Sequence, residues 1–169
     1  NLTALTFVDE TPLTYGALRD LTQDVASMLT SYGIERGDKV VVLSTNMPHW
    51  GAAFFGISWI GAVTVPILPD FNTAEIRSII EHSEAKVIFV SEQLYHKIEK
   101  EDFPQIKKIV LLDTWAEIPQ GHPAKQLTQL PAIDRSALQP FGPPVAEEAE
   151  LASILYTSGT TGSSKGVRL

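Results

Sequence analysis

Four short apolar runs constrain this chain more than anything else in it. They are Lys39-Val40-Val41-Val42-Leu43-Ser44, Ala62-Val63-Thr64-Val65-Pro66-Ile67, Lys86-Val87-Ile88-Phe89-Val90-Ser91, and Ile106 to Leu112. Each is rich in β-branched residues and shows little polar–apolar alternation. A strand with one wet face alternates, whereas a strand buried on both faces does not. Stretches with helical spacing separate the runs. Repeated alternation of strand and helix predicts the α/β class: three layers, a mostly parallel sheet with helices on both faces, and right-handed crossovers.

The intervening segments carry their own signals. Leu18, Leu21, Val25, Met28, Leu29 and Tyr32 recur at helical spacing, with Thr14 placed as N-cap and Gly33 as the residue past the C-cap. Arg19, Asp20, Gln23 and Asp24 fall on the opposite face. A second helix, begun by Asn46 and Pro48, runs from His49 to Ile60 and is apolar almost all round. It carries Gly51 and Gly56, each costing about 1 kcal/mol relative to alanine in a helix. It is therefore expected to be buried, with its glycines serving close approach to the sheet. Asn72 or Thr73 caps a third helix, with Glu75 in capping-box register after Asn72 and with Ile76, Ile79 and Ile80 as its inner stripe. Ser91 begins a polar fourth helix from Glu92 to Lys100. Thr3 to Val8 alternates weakly before a turn.

Residues 113–150 hold Pro119, Pro123, Pro131, Pro140, Pro143 and Pro144, six of the eleven prolines. That density predicts an irregular surface crossing, with short helices near Lys125 and Asp134, inside one α/β domain covering 1–169. Glu147, Glu148 and Glu150 are expected to be solvated. A last apolar run, Leu151 to Tyr156, reads as a buried strand.

Composition excludes several classes. The formal net charge is −7 and no basic run exists, which argues against a nucleic-acid partner. There is no cysteine, so disulfide and thiol chemistry are absent. His49, His82, His96 and His122 are scattered without helical pairing, which predicts surface or capping roles and no metal site. No apolar run is long enough to span a bilayer, and no signal peptide is expected at Asn1. Trp50, Phe54, Phe55 and Trp59 read as core packing in the second helix.

One stretch has the character of a binding loop. From Thr157 to Gly166 no side chain is apolar: Thr157, Ser158, Gly159, Thr160, Thr161, Gly162, Ser163, Ser164, Lys165, Gly166. Glycines let backbone N–H groups turn toward an anion and approach it closely. Hydroxyls add donors, and Lys165 adds a mobile cation. Such a set suits a polyphosphate. A solvated Ser/Gly linker is the alternative. Against it stand the apolar strand before the loop, the lysine between its glycines, and the return to a β-favouring residue at Val167. A Walker A loop does not fit. Counting from Gly159, Ser164 occupies its second required glycine, and Val167-Arg168-Leu169 looks like a strand where a helix should follow. The loop also leaves the carboxyl end of its strand, where ligands of open α/β sheets bind.

Tyr156-Thr157-Ser158-Gly159-Thr160-Thr161-Gly162, followed by Lys165-Gly166-Val167, resembles the phosphate loop of the adenylate-forming, or AMP-binding, superfamily. That superfamily includes acyl-CoA synthetases, firefly luciferase and the adenylation domains of peptide synthetases. Ser164 stands where the family usually has proline, a change that bears on loop stiffness more than on chemistry. Leu13-Thr14-Tyr15, Trp50 through Val63, Val65-Pro66-Ile67 and Lys86 to Ser91 extend the likeness to nearly the whole chain outside 113–150. Its flavour is nearest to bacterial long-chain fatty acid CoA ligases.

The resemblance implies the N-terminal part of an ATP-dependent ligase. A carboxylic acid, here a fatty acid, is activated as an acyl-adenylate and passed to coenzyme A. It implies that Thr157, Ser158, Gly159, Thr160, Thr161, Gly162 and Lys165 hold the phosphates of ATP. Most sites for ATP, Mg2+ and coenzyme A would lie beyond Leu169, so these 169 residues alone are expected to be inactive. The loop is expected to be among the most mobile segments without nucleotide. A cytoplasmic protein is implied, with membrane association of the intact enzyme left open. Peptide-synthetase adenylation domains, acyl-carrier-protein ligases and a non-catalytic flavodoxin-like binding module remain as alternatives.

Overall fold

A computed structural model describes residues 2–6, 12–139, 141–145, 150–157 and 165–169. Two short strands, β1 (Thr3–Leu5) and β2 (Leu13–Thr14), pair antiparallel and lead into α1 (Tyr15–Ser31). Next come β3 (Lys39–Leu43), α2 (Pro48–Trp59), β4 (Val63–Ile67), α3 (Thr73–Ser83) and β5 (Val87–Val90). The short α4 (Glu92–Tyr95) and β6 (Lys108–Leu111) follow. Beyond these lie β7 (Glu117–Ile118) and two 3-10 turns, Ala124–Gln129 and Arg135–Ala137, at the places where short helices were expected. The chain ends in β8 (Ile154–Thr157) and β9 (Lys165–Arg168).

The five-stranded sheet has the order β4-β3-β5-β6-β7. Its β4-β3, β3-β5 and β5-β6 ladders are parallel, and β7 adds an antiparallel edge. Each of the four apolar runs supplies one parallel strand, as its lack of alternation predicts. Alternate residues feed opposite faces. Val41, Leu43, Val65, Ile88, Val90 and Ile109 pack with α3 and α4, while Val40, Val42, Val87, Phe89 and Val110 pack with α1 and α2. The sheet is thus the middle of three layers.

Pro66 is accommodated because β4 is an edge strand. In a parallel strand the N–H and C=O of one residue point the same way. Val63 N–H donates to Asp38 O on the β3 side, while Thr64 N–H donates outward to Ala152 O. Pro66, two residues on, therefore faces outward as well, and its missing donor removes no rung of the ladder.

Several local signals translate directly. Thr14 accepts from Ala17 N–H at the start of α1, and Gly33 continues past its C-cap at φ +68°. Asn72 and Glu75 form a full capping box on α3, whose Ile76, Ile79 and Ile80 are completely buried.

Other expectations are corrected. Helix α2 is capped by Met47, not Asn46, and only Ala52, Ala53, Gly56 and Ile57 are buried, while Phe55 is half exposed. Its glycines approach α1 and β1, not the sheet. A Cβ on Gly56 would lie 2.5 Å from Val25 Cγ1 and 3.0 Å from Thr22 O, and one on Gly51 would lie 3.3 Å from Leu5 Cδ1. Helix α4 is a single turn followed by tighter turns that bring Tyr95, Ile98 and Phe103 into the core. Its first free N–H, on Glu92, is met by Asp113 Oδ2 at 2.8 Å, not by Ser91. Glu150 is part-buried and pairs with Arg36; Glu147 and Glu148 lie outside the described residues. Among the described residues, no helix is long and apolar enough to cross a membrane.

Candidate functional site

The run read as one buried strand, Leu151 to Tyr156, is in fact the approach to a separate ribbon. Strands β8 and β9 pair antiparallel, with Ile154 opposite Arg168, Leu155 opposite Val167, Tyr156 opposite Gly166 and Thr157 opposite Lys165. Exposure alternates along β8: Leu155 and Thr157 point out, and Tyr156 points in. One face of the ribbon is wet, so the apolar run marks a half-buried strand. The ribbon meets the main sheet at its β4 edge. Thr64 and Ser153 form an isolated parallel bridge, and the Ser153 hydroxyl donates to Thr64 O at 3.0 Å. The loop therefore grows from a ribbon beside the sheet, not from a strand within it.

Ser158, Gly159, Thr160, Thr161 and Gly162 lie outside the described residues, as does the expectation about the loop's mobility. Thr157 and Lys165 are described. They face each other as the last described rung of the ribbon, at the end where the hydroxyl- and glycine-rich stretch of the sequence begins and ends. Both are exposed. The two strands carry Lys165 and Arg168 and no carboxylate, a local positive charge in a chain of net charge −7. A hydroxyl and an ammonium at the two ends of a hydroxyl- and glycine-rich stretch are a donor set for an anion.

The residues behind this rung explain how it is held. Tyr156 is 5% exposed and joins the core cluster on the α3 side of the sheet. Its ring lies over Gly166, where an added Cβ would sit 3.3 Å from Cζ and 3.0 Å from Ile154 Cγ2. Glycine at 166 thus gives the ring its place. Burial pushes the Tyr156 hydroxyl above its ordinary pKa, so it stays a neutral phenol. It shares a hydrogen bond of 2.7 Å with Nδ1 of His82, in the last turn of α3, and the two rings stand edge to face at 88°. The sequence did not single out His82. Its partner is 74 positions away, and no local pattern reports a pairing at that separation.

The remaining polar clusters are structural. Tyr32 donates to Glu117 at 2.8 Å, and burial first, then Glu117, pushes its hydroxyl up. Lys108 pairs with Glu117 and stands over the Tyr32 ring. His49 lies edge-on to Trp115, and His96 bonds Gln93 O in its own turn. Trp50 stacks on Phe54, and Trp59 Nε1 donates to Gly142 O.

The chain matches the AMP-binding enzymes over residues 1–169. It belongs to the AMP-binding enzyme family. It is 33% identical over 154 residues to the crotonobetaine/carnitine–CoA ligase of Escherichia coli O1:K1, covering 88% of this chain and 29% of that protein. Among solved structures it is similar to a fatty acyl CoA synthetase of Mycobacterium tuberculosis, with TM-score 0.69, 26% identity, and coverage of 96% of this chain and 30% of that one. It also shares the fold of the anthranilate CoA ligase AuaEII in complex with anthranoyl-AMP, with TM-score 0.78, 23% identity, and coverage of 99% and 30%. The chain therefore spans about 30% of the length of these family members. Its α/β fold with a mostly parallel sheet is that of the adenylate-forming N-terminal subdomain.

Proposed function

We propose that residues 1–169 are one α/β unit of a larger AMP-binding domain, with 113–150 as its irregular crossing. The full-length protein is then an ATP-dependent acid–thiol ligase. It activates a carboxylic acid as an acyl-adenylate, releases pyrophosphate, and transfers the acyl group to coenzyme A. The observation that supports this reading is the rung between Thr157 and Lys165, which brings a hydroxyl and a cation together at the two ends of the hydroxyl- and glycine-rich stretch.

In this reading Thr157, Ser158, Gly159, Thr160, Thr161, Gly162 and Lys165 hold the β- and γ-phosphates of ATP. Attack of a carboxylate on the α-phosphorus needs positioning and charge neutralisation more than covalent help from the protein. Lys165 supplies positive charge as the pyrophosphate departs. The Thr157 hydroxyl donates to a phosphate oxygen, and Gly166 lets the buried Tyr156 ring support the ribbon from beneath. Mg2+, when bound, would neutralise phosphate charge. Among the described residues no group of three or more His, Asp or Glu side chains is gathered as for a metal, so no residue of this chain is assigned to it.

The acid is proposed to be a long-chain fatty acid, on the likeness to the mycobacterial fatty acyl CoA synthetase. The 33% identity to the crotonobetaine/carnitine ligase supports a second reading, a small charged acid. Incubation of the full-length protein with ATP, Mg2+, coenzyme A and a panel of acids tests both. Acid-dependent release of AMP and pyrophosphate with thioester formation is expected, strongest with long-chain fatty acids. Best turnover of crotonobetaine or carnitine would move the assignment to the second reading, and release of ADP and phosphate would contradict a ligase of this kind.

A further inference from the structure

The β8–β9 ribbon is fixed to the rest of the fold at two heights. At its base, Ser153 bonds Thr64 on the edge of the sheet. Tyr156 lies three residues further, about 10 Å along an extended strand, where its hydroxyl meets His82 Nδ1. Among the described residues, these are the side-chain hydrogen bonds that join the two strands' stem to the body. The second stands one residue before Thr157, the first residue of the loop read as the phosphate grip. A ribbon held only at its base could swing about that point, and the displacement would be greatest at the Thr157–Lys165 rung. A second hold near that rung removes that freedom.

The contact is built, not incidental. The phenol is driven into place by its 95%-buried ring, wedged between Gly166 and the α3-side core. Its hydroxyl then needs a partner, because an unmet buried hydroxyl costs about 1–3 kcal/mol. His82 is the partner that the last turn of α3 offers. The Asn72–Glu75 capping box closes the first turn of the same helix, and His82 projects from its last turn. Either neutral tautomer or the imidazolium can share the bond, since the phenol both donates and accepts.

We propose that His82 is a positioning residue for nucleotide binding: through Tyr156 it sets the orientation of the ribbon end that carries Thr157 and Lys165, two of the residues proposed to hold the phosphates of ATP. This rests on the ligase reading above. His82 does not touch substrate; it raises the fraction of molecules in which Thr157 and Lys165 are placed to bind. Losing that hold lowers the competent fraction and weakens apparent affinity by the same factor.

The test is ATP–pyrophosphate exchange in the full-length enzyme, comparing wild type with His82→Ala, His82→Asn, Tyr156→Phe and the double variant His82→Ala/Tyr156→Phe. Loss of one hydrogen bond should raise KM for ATP about two- to tenfold, with KM for the acid little changed. Asparagine places an amide where Nδ1 stands, so His82→Asn should recover most of the loss. The double variant should be no worse than either single one. An unchanged KM for ATP in His82→Ala, failure of asparagine to rescue, or multiplying effects in the double variant would each overturn the proposal. Should His82→Ala not fold, Tyr156→Phe carries the same test, because it keeps the ring and removes only the hydroxyl. Absence of exchange in the wild type with every acid tried would instead overturn the ligase reading, and this proposal with it.

Discussion

Gly56 shows how a single hydrogen atom decides the packing of two helices. It sits in α2, where alanine would favour the helix by about 1 kcal/mol. Yet a Cβ there would lie 2.5 Å from Val25 Cγ1, 2.6 Å from Val25 Cβ and 3.0 Å from Thr22 O on α1. Neither a backbone carbonyl nor a β-branched side chain with few rotamers can yield that much. Overpacking of this kind costs about 1–3 kcal/mol, so Gly56→Ala should be net destabilising by up to about 2 kcal/mol despite the propensity gain. Urea unfolding of the two proteins measures this directly, and a Gly56→Ala variant as stable as wild type would show that α1 can retreat at little cost. At this scale the sequence was readable where the signal is local. Thr14, Gly33, Asn72 and Glu75 act where their spacing puts them. His82 and Gly166 were not readable in this way, because what they touch is set by how distant segments meet.

Helices were legible from the spacing of their apolar side chains, and parallel strands from short apolar runs without alternation. What those patterns do not encode is which element lies beside which. The run from Leu151 to Tyr156 looked like another buried strand, and it leads into one side of a two-stranded ribbon with Leu155 39% exposed. Strand β7 is only two residues long, too short for any pattern. The ties between elements also depend on charge. Asp38 precedes β3 and Lys86 precedes β5, and the two form an ion pair at 2.6 Å. Burial pushes the Asp38 carboxyl up. The Lys86 hydrogen bond, the Glu35 N–H and the charges of Lys86 and Lys107 outweigh that and leave it below its ordinary 3.8. A carboxylate depressed in the folded state stabilises the fold above its unfolded pKa, and that contribution disappears as pH falls through the folded value. The stability difference between wild type and Asp38→Asn should therefore be constant near neutral pH and shrink below about pH 4. Urea midpoints measured across that range check it; a difference that stays constant down to the lowest pH at which both fold would show that the pair does not titrate with folding.

Across the whole molecule, the sheet and its two helical layers form a platform, and the β8–β9 ribbon is attached to the β4 edge of that platform. The family likeness covers the entire chain, and the sequence motif that suggested it begins at Tyr156, the residue that anchors the ribbon. The motif thus has two parts with different physical roles. Tyr156 and Gly166 interlock beneath the ribbon, and Thr157 and Lys165 face each other at the open end. The concentration of hydroxyls, glycines and a lysine from Thr157 to Gly166 was legible as composition. The interlock was not, because it needs the register of the hairpin and the position of α3.

The account depends most on Lys165 acting on the phosphates of ATP. In the full-length enzyme, ATP–pyrophosphate exchange by Lys165→Ala should fall about a hundredfold or more relative to wild type, in line with the loss of one charge-stabilising group at a reacting centre. Thermal stability should be unchanged, since the side chain is exposed. Exchange at the wild-type rate in Lys165→Ala would contradict the assignment of this hairpin as the phosphate grip.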